Sequence, residues 1–248
     1  MKPSLLALDT ATEVIAAALL APTGRWHVNE AGGKLASVRL LPLLLTLLNR
    51  AGLTMAQLQA VAYGQGPGAF TGLRTACAVA QGLAFAHDTP VLAIDSLLIV
   101  AEDARQQAVD SGADDGDGLW WVAMDARMDE VYAGAYQHQS DGWQTGWQTA
   151  TEPQLWTLAA LAEAWQAAPP PRVAGSALAA FAGRLPWGPA ECWPVCQDRA
   201  AALLRLAEAA WADGRTLPAE QAMPIYLRDK VAQTTAERLA QRAALAAP

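Results

Sequence analysis

The residues of this chain that can carry chemistry sit in turns. Gly64-Gln-Gly-Pro-Gly-Ala-Phe-Thr-Gly-Leu-Arg74 puts four glycines and a proline between an apolar run, Val61–Tyr63, and a run of small residues, Thr75–Ala86. A strand, a turn that exposes backbone N–H groups and a helix start, in that order, can hold an anion or let another backbone pack closely. Two further turns, Asp9-Thr-Ala-Thr12 and Asp125-Ala-Arg-Met-Asp129, place a carboxylate directly after an apolar run. An anion or nucleotide held near these turns would meet Asp9, Thr10, Gly66, Gly68, Thr71 and Arg74.

Nucleophile–base and metal chemistry find less support. The three histidines, His27, His87 and His138, lie in unrelated contexts, and no His-x-x-x-His occurs, so the common helical two-ligand metal motif is absent from the sequence. Cys192-Trp-Pro-Val-Cys196 has no second cysteine pair to complete a zinc spacing, and three cysteines cannot all pair, which points to a reducing compartment. Asp125, Asp129 and Glu130 could serve as acid and base. Carboxylates clustered in a turn before a strand are more simply read as solvated.

Composition narrows the classes. The chain has 248 residues, 53% of them hydrophobic, which suits a folded globule and speaks against disorder. A formal charge of −7 with scattered basic residues argues against a self-sufficient nucleic-acid binder, so any RNA should be held by a partner. The most apolar run, Leu40–Leu48, is interrupted by Pro42 and Thr46 and falls short of the roughly 18 residues of a membrane span. The opening Met1-Lys-Pro-Ser leads directly into a strand, without a signal peptide's cleavage region, and the expectation is a cytoplasmic protein.

The elements that must position the turns follow from hydrophobic periodicity. Strands are expected at Leu5–Leu8, Val14–Leu20, Arg25–Glu30, Val61–Tyr63 and Pro90–Ile94, with helices at Leu35–Arg50, from the Gly-rich turn to about His87, and from Ser96, read as the cap, to Ala108. Gly52 is the expected stop of the first helix. The acidic Asp110–Gly118 stretch reads as a solvated loop. Beyond it come strands at Leu119–Met124, Glu130–His138 and Gly142–Ala150, a helix over Pro153–Gln166, and strands at Arg172–Gly175 and Cys192–Val195. A short helix, Ser176–Arg184, lies between those last two strands, and a long helix, Asp198–Asp213, follows. Nine of the ten tryptophans lie in this second half and are expected to pack in its core and grooves.

The two halves repeat one order: a strand with an Asp-bearing turn, a hairpin, then alternating helix and strand. Two such halves around a cleft resemble the actin/hexokinase/Hsp70-like superfamily. The fold expected is therefore α/β with two domains of mixed sheets flanked by helices: residues 1–110, a smaller domain over 111–218, and a segment 219–248 packing back on the first. Members that hydrolyse nucleotide follow both Asp turns with glycine; here neither turn has one, and Ala11, Ala126 and Arg127 would crowd a triphosphate. The adenosine-side turn is reduced to Ala174-Gly175-Ser176. A working ATPase is not expected.

The helices of the first half say more. The 35–48 helix carries more leucines than one buried face needs, and the helix after the Gly-rich turn is lined with small residues, with Gly82 in its interior. A shared interface is the reading, with Leu40, Leu41, Leu44, Leu45, Leu48, Thr75, Ala76, Val79, Gly82 and Leu83 as its residues.

Assembled, the segments Leu6–Thr12, Ala62–Arg74, Ala80–Ala84, Met124–Tyr132 and Pro224–Arg228 closely resemble the TsaB (YeaZ) family. The resemblance implies a non-catalytic paralogue of TsaD. TsaD is the metal-dependent subunit that forms N6-threonylcarbamoyladenosine at adenosine 37 of tRNAs reading ANN codons. It further implies a TsaD-like partner, a TsaE-like ATPase, a homodimer in isolation, tRNA contact only through the complex and no membrane. No cofactor is implied for this chain itself, although adenine nucleotide can sit at the complex interface. In the family, the helices matching Leu35–Arg50 and Thr71–His87 make the contact with TsaD or a second copy. The histidine that relatives often carry at the lead-in to the first helix is Ala36 here, and the Ala-rich tail after Val231 matches nothing usable. The competing classes are a nucleotide hydrolase or kinase of the same fold and a glycoprotease-like peptidase.

Overall fold

β1 (Leu5–Asp9) is buried along its whole length, as a central strand covered on both faces must be. It pairs antiparallel with β2 (Val14–Ala21), which pairs antiparallel with β3 (Gly24–Ala31), where every second residue turns to solvent. On its other edge β1 runs parallel to β4 (Ala60–Gly66), and β4 to β5 (Val91–Asp95), giving the order β3-β2-β1-β4-β5. The computed structural model of the chain describes residues 2–112, 116–141 and 146–228. The second sheet repeats the pattern: β6 (Gly118–Arg127), β7 (Glu130–Gln139) and β8 (Gly146–Thr157) are antiparallel, and β9 (Arg172–Ala174) and β10 (Glu191–Trp193) add in parallel, in the order β10-β9-β6-β7-β8. One five-stranded topology is thus built twice.

The helices are α1 (Ala36–Ala51), α2 (Phe70–Phe85), α3 (Ser96–Asp110), α4 (Leu158–Ala167), α5 (Ala177–Ala180) and α6 (Arg199–Ala212). α1 and α2 cover one face of the first sheet through Leu40, Leu44, Leu47 and Ala80. Gly52 ends α1, as expected. The other face is covered by α6 through Ala200, Leu203, Leu204 and Ala207. α3 packs instead on the second sheet, where Leu97, Val100 and Ala104 meet Trp120, Val122 and Tyr136. α4 and α5 cover that sheet's far side, with Leu161 and Trp165 on Val131 and Val173. α3 and α6 pack against each other between the sheets. Each half therefore lends the other a helix, α3 packing on the second sheet and α6 on the first, and Ala219 and Ala222 join the core beneath α1 and α2.

Two element expectations are corrected. The helix placed at Pro153–Gln166 begins only at Leu158, because β8 continues through Pro153 to Thr157. Among the described residues β8 pairs with β7 alone, at the edge of the sheet, so the missing N–H of Pro153 goes unneeded there. Thr157 supplies the cap, its Oγ1 accepting from the Ala160 N–H at 3.2 Å. Ser96 does not cap α3; the Asp95 carboxylate does, accepting from the N–H groups of Leu97 (2.8 Å) and Leu98 (3.4 Å). That frees the Ser96 hydroxyl for other work. Parts of the Asp110–Gly118 loop (113–115) and of the Gly142–Ala150 strand (142–145), and the tail from 229 onward, lie outside the described residues.

Trp120 and Trp165 are fully buried, with Trp120 packed on Trp193 (ring centroids 4.8 Å apart) and Trp165 on Trp121 (5.9 Å). Trp147 ties the halves together, its indole N–H donating at 2.9 Å to Glu102 on α3, which also accepts from Arg105 and from Arg205 on α6.

Candidate functional site

The Asp-bearing turns and the Gly-rich turn converge. A cavity of about 760 Å3 opens between the halves, walled by Ala11–Val14, Pro67–Phe70, Met124–Arg127, Ser176 and Ile225–Arg228. Repetition of the topology explains this: the turns after the two central strands, β1 and β6, come to one cleft, which Asp125 lines while Asp9 lies buried behind Ala11.

Asp9 is spoken for. Its carboxylate is fully buried and accepts the Arg199 Nε–H at 2.7 Å, the Ala11 N–H at 3.1 Å and the Ser96 hydroxyl at 3.1 Å. Arg199 is 4% exposed and also donates to the Ser96 carbonyl at 3.2 Å. Burial acts to lower the Arg199 pKa, but the Asp9 carboxylate, together with the nearby Cys196 side chain, outweighs this and pushes it up, keeping the guanidinium charged. The α6 guanidinium thus supplies internally the positive charge a phosphate-bound cation would bring to such a carboxylate. Sequence reasoning missed Arg199, 190 residues away from Asp9; only the placement of α6 on the first sheet reveals it.

The glycines of the 64–74 turn serve close packing. A Cβ on Gly64 would lie 1.7 Å from an Asp9 carboxylate oxygen, and one on Gly72 would lie 1.8 Å from the Thr10 carbonyl. Ala69 N–H donates to the Ala11 carbonyl at 2.8 Å and Thr10 Oγ1–H to the Gly72 carbonyl at 2.7 Å. The two turns are stitched together, which leaves Asp9 and Thr10 buried instead of facing a ligand. Gly66 donates its N–H to the Ser96 hydroxyl at 3.1 Å, and Gly68 packs on Ala11. Thr71 and Arg74 lie on the exposed side of α2. The Arg74 guanidinium stands 3.9 Å above the Phe70 ring and donates to the Tyr226 hydroxyl at 3.0 Å.

On the opposite wall Asp125 accepts the Arg127 N–H at 2.8 Å, and Arg127, Met128 and Asp129 all adopt positive φ (68°, 58° and 58°). Three consecutive non-glycine residues in that region carry strain, held here by surrounding contacts. Asp129 pairs with Arg184 at 2.8 Å, and Arg228 donates to the Arg127 carbonyl (3.3 Å) and to Glu130. Arg228 lies on a segment anchored to the first half through Ile225 N–H to the Gln65 carbonyl (2.7 Å) and the Tyr226–Phe70 stack, so it clasps the mouth of the cleft. Asp125, Asp129 and Glu130 are engaged in these contacts.

The histidines stay apart: His27 pairs with Asp198 (3.0 Å) on the outside of α6, His138 with Asp117 (2.8 Å), and His87 is exposed beyond α2. Cys77 donates to the Ala222 carbonyl, and burial pushes the Cys196 thiol up to about 12.

The α1–α2 face divides the expected interface residues. Leu40, Leu44, Leu48 and Ala76 point into the sheet and are at most 2% exposed, so they offer nothing to a partner; the surplus leucines are shared between core and surface. Leu41 (41%) and Leu45 (44%) face solvent, in line with Leu35 (51%) and Val38 (71%), which sequence reasoning left out. On α2, Gly82 is exposed, Thr75, Val79 and Leu83 are half-buried, and Phe85, also missed, is 70% exposed. Spacings of three and four residues align Leu35, Val38, Leu41 and Leu45 along one outward row, and Thr75, Val79 and Leu83 along one side of α2, whereas Phe85, two residues past Leu83, points away from that side.

Two five-stranded sheets of the order 3-2-1-4-5, helix-covered and facing one cleft, define an actin/hexokinase-like fold. The family model described as "TsaD: tRNA N6-adenosine threonylcarbamoyltransferase" matches residues 28–186. The tRNA threonylcarbamoyladenosine biosynthesis protein TsaB of Escherichia coli K12 is 31% identical over 247 residues, covering 92% of this chain and 96% of that protein. TsaB of Haemophilus influenzae is 42% identical over 131 residues, about half (52%) of each chain. A solved structure of YeaZ from Pseudomonas aeruginosa superposes with a TM-score of 0.77 at 39% identity, covering 91% of this chain and 100% of that one. A second, described as a protein with similarity to peptidase YEAZ from the same organism, gives 0.78. This chain belongs to the TsaB (YeaZ) family.

Proposed function

We propose that the chain takes part in forming threonylcarbamoyladenosine in tRNA as an accessory subunit, docking a TsaD-type transferase on its α1–α2 face without catalysing the transfer. The carrying observation is the exposed apolar row of Leu35, Val38, Leu41 and Leu45, with Gly82 and Phe85 exposed on the neighbouring α2. A contiguous apolar patch on helices marks a protein–protein contact. The match of residues 28–186 to the transferase's own family model supports a partner of the same fold, presenting its equivalent helix pair to this one in a pseudo-twofold packing. The buried Asp9–Arg199 pair supports the non-catalytic part of the reading, because the carboxylate that would hold a phosphate-bound cation is neutralised from within. In this reading the TsaE-like ATPase, any adenine nucleotide and the tRNA join through the complex, and the isolated chain pairs with itself through the same face. The test is purification of this chain alone and with a TsaD-type subunit. The chain alone should show no ATP hydrolysis, peptide hydrolysis or tRNA modification, and the mixture should form a complex that modifies tRNA. Turnover by the pure chain would overturn the accessory role.

A further inference from the structure

The cleft between the halves is space that the protein's own side chains do not fill. Its volume of about 760 Å3 falls inside the span of about 300–1,000 Å3 usual for small-molecule sites. Val14, Phe70, Met124, Ala179, Ala180 and Ile225 give it apolar walls, and all six are at least partly exposed. The cations on those walls are already matched: Arg199 by Asp9, Arg127 by Asp125 (3.3 Å) and Arg228 by Glu130. The lining therefore offers no unmatched cation to a phosphate or carboxylate, and Glu13 adds a further exposed carboxylate. Two hydroxyls on the second-half wall, by contrast, are under-used. Met124 and Tyr132 lie directly opposite each other across β6 and β7, so their side chains share one face of the sheet. Ser176 Oγ stands 3.8 Å from the Met124 sulfur, which gathers the three side chains at one place. That Oγ accepts the Asp125 N–H at 3.1 Å, and its own proton meets only the weakly accepting sulfur. The Tyr132 hydroxyl has no hydrogen-bond partner among the described residues. Burial pushes its pKa up, so it keeps a proton to donate.

From this we propose that the cleft binds an uncharged small molecule with an apolar body and a carbonyl group, the carbonyl accepting from Tyr132 and Ser176. Leu35, Val38, Leu41 and Leu45 do not line the cavity, so the site is separate from the α1 row and stands independently of the docking reading. A carbonyl suits the wall because both hydroxyls have a proton to give, and the Ser176 oxygen is already accepting. An apolar body suits it because filling the cleft takes apolar surface of ligand and wall out of water together. Nucleotides are disfavoured, since their phosphates would meet the Asp125 and Glu13 carboxylates with every lining guanidinium engaged.

Phenylacetamide, phenylacetate and phenethylamine share one ring and differ in carrying a neutral, an anionic or a cationic head. Each is titrated into the full chain by isothermal titration calorimetry, with ATP and acetamide alongside. Phenylacetamide is expected to saturate one site, binding about tenfold or more tightly than the acetate, the amine or ATP. Acetamide, which lacks the ring, should not bind. Tyr132→Phe strands no partner, so its thermal midpoint should stay near wild type while phenylacetamide affinity falls about fivefold. Ala180→Phe, at an exposed wall position, should abolish binding by filling the cleft, and Ala179→Phe does the same from the neighbouring position if the first variant fails to fold. The absence of saturable phenylacetamide binding overturns the proposal. Tighter binding of the acetate, the amine or ATP overturns it too, because the wall would then be selecting charge. Unchanged affinity in folded Tyr132→Phe, or binding that survives a folded phenylalanine variant, places the ligand elsewhere and has the same consequence.

Discussion

Replacing Arg199 with methionine tests the internal cation directly. The side chain keeps its apolar stem but loses the guanidinium, leaving Asp9 fully buried with only the Ala11 N–H and Ser96 hydroxyl as partners. Removing one member of a buried pair costs about 3–5 kcal/mol, because the remaining charge is uncompensated. In a domain of this size each kcal/mol moves the midpoint by about 2–4 °C, so Arg199→Met should melt roughly 10 °C lower. Asp9→Asn should cost a similar amount by stranding the arginine. The double variant removes both charges and should recover about 2 kcal/mol relative to the sum of the single losses. Urea unfolding followed by far-UV circular dichroism and tryptophan fluorescence gives all four stabilities. An Arg199→Met loss under about 1 kcal/mol, or a strictly additive double variant, would refute the idea that this pair holds the cleft wall.

Gly72→Ala should be far more damaging than an ordinary mid-helix substitution. The added methyl would sit 1.8 Å from the Thr10 carbonyl, so the two stitched turns must separate, at a cost of several kcal/mol read as a large drop in thermal midpoint. Asp95 predicts an acid-side gain. Burial lifts its carboxyl to about 6 despite the opposing Tyr136 hydroxyl, so between pH 6 and 4 the folded form holds a proton the unfolded chain has lost. Stability from this group therefore rises as pH falls through that window, by about 3 kcal/mol at roughly 1.4 kcal/mol per pKa unit. Asp95→Asn, which retains a capping oxygen, should flatten this rise in unfolding curves taken at pH 7, 6, 5 and 4. An unchanged slope would contradict the assignment.

Much of this architecture could be read from the chain, because local rules and global packing agree there. The Gly64–Arg74 turn, the Gly52 stop and the alternating strands of each half carry signals within a few residues of one another. The exchange of α3 and α6 between the sheets could not be read the same way. An amphipathic helix states which of its faces is buried and says nothing about which sheet receives it. Arg199 illustrates the consequence: in sequence it is a basic residue one position after a capping aspartate, and in the fold it is the counterion of Asp9. Pro153 failed for another reason, since a proline near a helix start and a proline in an edge strand look alike until the pairing is known. On α1 the leucine surplus announced a second environment, but only the helix's orientation separates Leu41 and Leu45 from Leu40, Leu44 and Leu48.

Titration of the purified TsaD-type transferase with this chain, wild type and carrying Leu41→Asp with Leu45→Asp, tests the central claim most directly. Both side chains are more than 40% exposed in the free chain, so the aspartates should leave its thermal midpoint within a few degrees of wild type. In a contact each becomes a buried, unpaired charge and costs several kcal/mol. The account predicts a tight complex with the wild type, at least a hundredfold weaker binding by the folded double variant, and a matching loss of tRNA modification. Equal affinity and equal modification with the double variant would contradict it.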